Sequence, residues 1–197
     1  MSKIKAQKNM AIWLTFWAAF NGLLSQMLFG YSAGMVTGAL FKEYSLIMGI
    51  FVFAMAIGAI LFERVKNPLG PLLLIQFASP LLVGLCLQIS IGQMAHSFEI
   101  PSLISFYSAA LAVGILAGGE LPLIYLLCAK NNDLNNVLVS DYLAMSIGSL
   151  LFGTVFMPML GVNYSWIILA GGHALFTLST LYFSAAKKNF GRSLEKL

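Results

Sequence analysis

The stretch Gly118–Gly153, GGELPLIYLLCAKNNDLNNVLVSDYLAMSIGSLLFG, decides the reading of this chain. It consists of two apolar runs joined by a short polar segment, and each run carries a carboxylate, Glu120 in the first and Asp141 in the second. The same pattern repeats outward from it: runs with few or no charges occupy 12–41, 44–62, 69–91, 103–127, 137–160 and 165–186. A hydrocarbon core about 30 Å thick is crossed by about 20 helical residues, so every run is long enough to span. Hydrophobic residues make up 59% of the chain and charged residues 9%, with a mean hydropathy of +0.88. That is more apolar surface than a water-soluble monomer can hide. The expected fold is therefore all-α, a polytopic integral membrane bundle of about six transmembrane helices in a single domain over 1–197.

Six spans put both termini on one side. Lys3, Lys5, Lys8, Arg64, Lys66, Lys130, Lys187, Lys188, Arg192 and Lys196 share that side, and Lys42 alone lies opposite. By the positive-inside rule both ends are cytoplasmic. The net charge of +4 follows from this topology and from contact with anionic headgroups, and does not argue for nucleic acid. The first run is much longer than the apolar core of a signal peptide, so it reads as a retained helix, and a bacterial inner membrane is the expected location. Cys86 and Cys128 lie in different runs with no third sulfur or histidine near them in sequence, so neither a metal site nor a disulfide framework is expected.

Run 12–41 is roughly 45 Å long as a straight helix, more than the apolar thickness. It must tilt or break; Gly30-Tyr31-Ser32 is the expected break, with Gly34–Phe41 as a short re-entrant or surface helix. Gly30, Gly34 and Gly38 recur every four residues, a doubled GxxxG face that admits close helix packing, either inside the bundle or against a second copy or partner.

Glu120 follows Gly118-Gly119 and precedes Pro122, which offers no N–H to the carbonyl of Gly118. An interrupted helix is expected there, with freed carbonyls and a carboxylate facing one small volume, as at ion and substrate sites of transporters. A charge in the membrane costs about 2.5–3.5 kcal/mol on insertion scales, so Glu120 is either a ligand group or a structural hydrogen-bonding partner. Asp141, between Ser140 and Tyr142, sits one turn into its run. It reads as a first-turn charge favoured by the helix dipole or as a second acidic ligand beside Glu120. Gln26, with Asn21 in the same run, reads as an interhelical hydrogen bonder or a site-lining amide. His173 and His96 read more simply as hydrogen bonders than as ligands. The chain contains no HExxH and no cysteine–histidine cluster, and its glycine pairs lie within apolar runs, where they form no phosphate loop.

GGELPLIYLL at 118–127 and NVLVSDYLAMSIGSLLFGTVFMPMLG at 136–161 resemble the transmembrane region of membrane-bound spermidine synthase-like proteins. That family carries a G-x-E-x-P-L element, then D-Y-L-G-A and an L-P-x-x-G ending. FNGLLSQMLFG at 20–30 and FVFAMAIGAIL at 51–61 are similar to its opening spans, with Gln26 at an acid or amide position. Glu120, Pro122, Asp141 and Tyr142 map onto the family's membrane signature, and Ala144 departs from its usual glycine. The resemblance implies a membrane unit similar in outline to half of a major-facilitator fold. It also implies that the soluble Rossmann-like domain of aminopropyl transfer lies outside these residues, since it needs on the order of 150 more.

Two functional expectations follow. The first is a non-catalytic membrane subunit or scaffold, without a cofactor, that contacts the bilayer and another membrane protein or a second copy of itself. It would bind a small cationic or lipidic ligand at Glu120, Asp141, Gln26 and Tyr142. The second is a homo-oligomeric transporter of an amine or cation with Glu120 as the charge partner.

Overall fold

The computed structural model describes the backbone of residues 3–94, 99–128 and 134–194, and the side chains of 9–90, 100–127 and 135–182. All regular elements among the described residues are helical: α1 Lys3–Thr37, α2 Leu40–Phe62, α3 Leu69–Met94, α4 Glu99–Cys128, α5 Leu134–Leu151, a π-helical segment Phe152–Leu160, and α6 Gly161–Leu194. Five helical stretches are long and apolar enough to cross a membrane: Asn9–Thr37, Leu40–Phe62, Leu69–Ser90, Ile100–Leu127 and the 48-residue Asn135–Tyr182. Their outward faces carry Phe53, Ile60, Leu74, Phe77, Ile104 and Leu150, a surface suited to acyl chains and not to water.

The first run does not break where its tripeptide suggests. α1 continues through Gly30-Tyr31-Ser32 and ends at Thr37, followed by Gly38 at φ +70°. Only a residue without a Cβ takes that left-handed conformation cheaply, so Gly38 stops the helix. Leu40–Glu43 then form the first turn of α2, so 34–41 is no separate short helix, and residues 42–43, between the first two runs, are helical. Gly30 and Gly34 pack inside the chain: Gly30 lies under the ring of Tyr44, and Gly34 against the backbone and side chain of Leu40.

Runs 137–160 and 165–186 are not separated by a loop at 161–164, because the helical stretch passes through them. The chain nevertheless reverses. Ser140, near the start of α5, donates to the carbonyl of Ile12 at 2.7 Å. The next residue, Trp13, donates to Ser179 far along α6 at 3.3 Å. Residues 140 and 179 thus lie at one level of α1, which makes α5 and α6 antiparallel. The turning point is Gly161, at φ +69°, and Ser165 Oγ ties the start of α6 back to the carbonyl of Phe156 at 3.3 Å.

α1 and α4 form the centre: α1 packs on α2, α4, α5 and α6, and α4 on α1, α2 and α3. In α1, 61% of the membrane-length window is buried, against 22% in α2. This explains why α1 collects polar residues such as Thr15, Asn21, Ser25 and Gln26 without exposing them. α4 reaches α2 closely because Gly114 and Gly118 meet the backbone of Phe51 and Met55, and Gly58 of α2 meets the backbone of Ile115.

Candidate functional site

Glu120 is placed by the glycines before it. Gly118 lies on the backbone of Met55 and Gly119 under the ring of Phe62, so the α2 side of α4 is closed and the next residue turns away from it. α4 runs through Pro122 without interruption, contrary to the expected break. Proline removes one intrahelical bond, that to the carbonyl of Gly118, and packing of α4 against α1, α2 and α3 holds the helix through the gap.

The carboxylate of Glu120 meets an amide that sequence reasoning passed over. Gln76 Nε2 donates to Glu120 Oε1 at 2.5 Å, and Gln76 Oε1 lies 2.6 Å from His173 Nδ1. All three side chains are buried, and they join α4, α3 and α6 in one chain of hydrogen bonds. An amide oxygen only accepts, so Nδ1 of His173 is the donor and Nε2 carries the lone pair. That Nε2 is buried without a hydrogen-bond partner among the described residues, as are both amide atoms of Asn21, whose side chain lies against Gly172. The clue in the sequence was available: Gln76 is an amide inside the apolar run 69–91, four residues before Pro80. Its own carbonyl is the one that Pro80 leaves without an intrahelical donor.

A cavity of about 490 Å³ opens on the other side of Glu120, between α1, α2, α4 and α5. Small residues make the room: Ala18, Ala19 and Gly22 of α1, Ala56 and Ala59 of α2, and Ala117 of α4. The cavity brings together Gln26, Gly118, Glu120, Pro122 and Asp141, and its described lining includes no lysine, arginine or histidine. Glu120 and Asp141, expected to share a site, line one volume together with Gly118 and Gln26. Such walls suit a positive group on a short apolar body, because buried charge is tolerated only when paired.

Tyr142 is not part of it. One residue past Asp141, it points outward and is 64% exposed, because neighbouring residues of a helix are about 100° apart. His96 and the side chains of the terminal lysines lie outside the described residues. A second buried carboxylate, Glu43, was read as part of a connection. It sits in the first turn of α2, accepts from the hydroxyl of Tyr107 and has the ammonium of Lys42 at 3.5 Å, so its charge is matched locally.

Fold and site together define a class: an all-helical chain with membrane-length apolar helices around an acidic, apolar-walled cavity. Comparison with known proteins then supplies relatives. The chain is 30% identical over 165 residues to the polyamine aminopropyltransferase of Oceanobacillus iheyensis, covering 79% of this chain and 32% of that one. It is 31% identical over 149 residues to that of Leptospira interrogans, covering 72% and 29%. It is 33% identical over 156 residues to polyamine aminopropyltransferase 2 of Ralstonia nicotianae, covering 75% and 30%. The chain thus spans about a third of the length of the curated relatives it matches. No family model and no solved structure matches it. The expectation of a non-catalytic protein is overturned: the relatives it matches are named as enzymes, so the findings point to relatedness to an aminopropyltransferase.

Proposed function

We propose that these residues form the membrane-spanning module of a polyamine aminopropyltransferase-type protein, and that the cavity at Glu120 and Asp141 receives a small organic cation of the polyamine class. The carrying observation is that Glu120 and Asp141 both line one apolar-walled cavity between α1, α2, α4 and α5. A polyamine alternates ammonium groups with methylene stretches, so carboxylates and alanine-lined walls complement its two parts. The module would hold aminopropyl chemistry at a membrane surface and present the cation to it. The proposed topology has six crossings, two of them within Asn135–Tyr182 on either side of Gly161, with both termini cytoplasmic in a bacterial inner membrane. The basic residues expected on one side and the bacterial relatives support that placement. Contacts to another membrane protein or a second copy would use the outward apolar faces.

Calorimetry with spermidine on the purified chain in mild detergent tests the reading. Binding is expected, weakened roughly tenfold or more in Glu120→Gln and less in the half-buried Asp141→Asn, because a paired charge is worth more where water is excluded. Absence of binding in the folded protein would refute it. Labelled spermidine flux in proteoliposomes asks a further question: passage across the bilayer would assign the cavity to a homo-oligomeric transporter.

A further inference from the structure

The cavity at Glu120 is a slot that follows the helices. Its α2 wall runs from Met48 to Ala59 on one helix face, a length of about 16 Å, and its α1 wall from Ala18 to Gln26. The registers of the helices order the polar groups along it. α1 and α2 are antiparallel, with Gly30 against Tyr44 and Gly34 against Leu40, so Gln26 is level with Met48 at one end. α4 runs parallel to α2, with Gly114 on Phe51 and Gly118 on Met55, and its Ala117 faces Gly22 of α1. Glu120 is therefore displaced from Gln26 by about eight residues, on the order of 12 Å along the slot. α5 runs beside α1 in the same direction, since Ser140 meets the carbonyl of Ile12 and Gly148 lies against Phe20 and Leu23. Asp141 is thus about level with Leu14, beyond Glu120 and at the far end from Gln26.

Two carboxylates stand toward one end of the slot and a neutral amide at the other. Gln26 is 8% exposed, lines the cavity and makes no hydrogen bond to a described residue. A buried amide without partners is disfavoured, so its C=O and NH2 call for a polar group inside the slot. Side chains lean toward the N-terminus of their helix, and those of α1 and α4 lie in opposite directions, so Gln26 and Glu120 lean toward each other. Between them the walls are Gly22, Val52 and Met55, which offer no charge. An ammonium group beside Glu120 or Asp141 has a counter-ion. One placed at Gln26 has none, and a buried charge without a partner is strongly disfavoured.

We infer that Gln26 is a specificity-determining residue, and that the slot takes an unbranched amine lengthwise, with two ammonium groups at Asp141 and Glu120 and a neutral hydrogen-bonding end at Gln26. A mono-acylated triamine is the class that matches: two charges for two carboxylates, and an amide that exchanges hydrogen bonds with the Gln26 amide. A diamine fills the charged end alone. An unmodified triamine has one charge too many for these walls, and leaves its third ammonium in water beyond the half-buried Asp141. This rests on the cavity being a cation site, and adds which cations it prefers and which residue chooses among them.

Calorimetry on the full chain in mild detergent tests this with three probes: putrescine, spermidine, and spermidine acetylated on its aminopropyl nitrogen. The acetylated amine is expected to bind roughly tenfold more tightly than putrescine, and spermidine no more tightly than putrescine. In Gln26→Leu the acetylated amine falls to the putrescine value while putrescine is unchanged, an outcome that a merely structural role of Gln26 does not produce. Gln26→Glu supplies the missing counter-ion, so there spermidine becomes the tightest of the three, and this variant decides the matter if Gln26→Leu does not fold. An acetylated amine that binds no better than putrescine or spermidine, a gain that survives Gln26→Leu, or an order unchanged in Gln26→Glu overturns the inference and leaves the cation site standing. If none of the three binds the folded wild-type chain, the cation reading of the cavity falls, and the preference with it.

Discussion

Glu43 and Glu120 are both nearly fully buried, yet their partners set them to different tasks. Glu43 has a hydroxyl from Tyr107 and a cation from Lys42, so its charge is spent on holding the start of α2 to α4. Glu120 has one neutral amide and lines a cavity whose described walls carry no cation. Tyr107→Phe is therefore expected to destabilise the fold by about 1–3 kcal/mol, the range for leaving a buried group short of a donor. Reversible unfolding in mixed micelles measures it, and spermidine binding should be unchanged. At this scale the sequence showed Glu120, Asp141 and Gln26, since isolated polar groups stand out in apolar runs. It did not show Gln76 as the partner, because a helical amide has neighbours on other helices that no spacing specifies.

At the scale of elements, glycines decide which helices touch and where they end. A Cβ on Gly118 would come within 2.5 Å of the Met55 Cα, and that backbone has nowhere to go. Gly118→Leu should separate α4 from α2 and abolish the monodisperse peak on size exclusion. Gly171→Ala, where nothing lies within 4 Å, should leave it unchanged. Gly161→Ala meets no neighbour either, but forces a side chain into a positive-φ, extended-ψ backbone that is essentially reserved for glycine, at about 1–3 kcal/mol. A lowered unfolding midpoint in Gly161→Ala, absent in Gly171→Ala, would check that the turn is a backbone requirement. The tripeptide at 30–32 misled because paired small residues read alike whether they bend a helix or receive a neighbour, and here Tyr44 fills the space at Gly30.

At the scale of the molecule, the central position of α1 and α4 puts the polar residues of both helices inside and leaves apolar faces outward. Reporter fusions check the proposed topology: a green fluorescent protein after residue 186 should fluoresce, and alkaline phosphatase there should be inactive. The reverse pattern would place that end outside and remove one crossing from Asn135–Tyr182.

Run length and apolarity belong to the chain itself, so the helical class and the limits of most helices were legible in the amino-acid sequence. The same reasoning exposed Glu120 and Asp141, because each stands alone in an apolar run. Only tertiary packing decided that Gly38 and not Gly30 ends α1, that Pro122 leaves α4 whole, and that Glu120 answers to Gln76 and His173. These depend on helix rotation and on which side chains fill the gaps between helices, quantities that arise only when the helices meet.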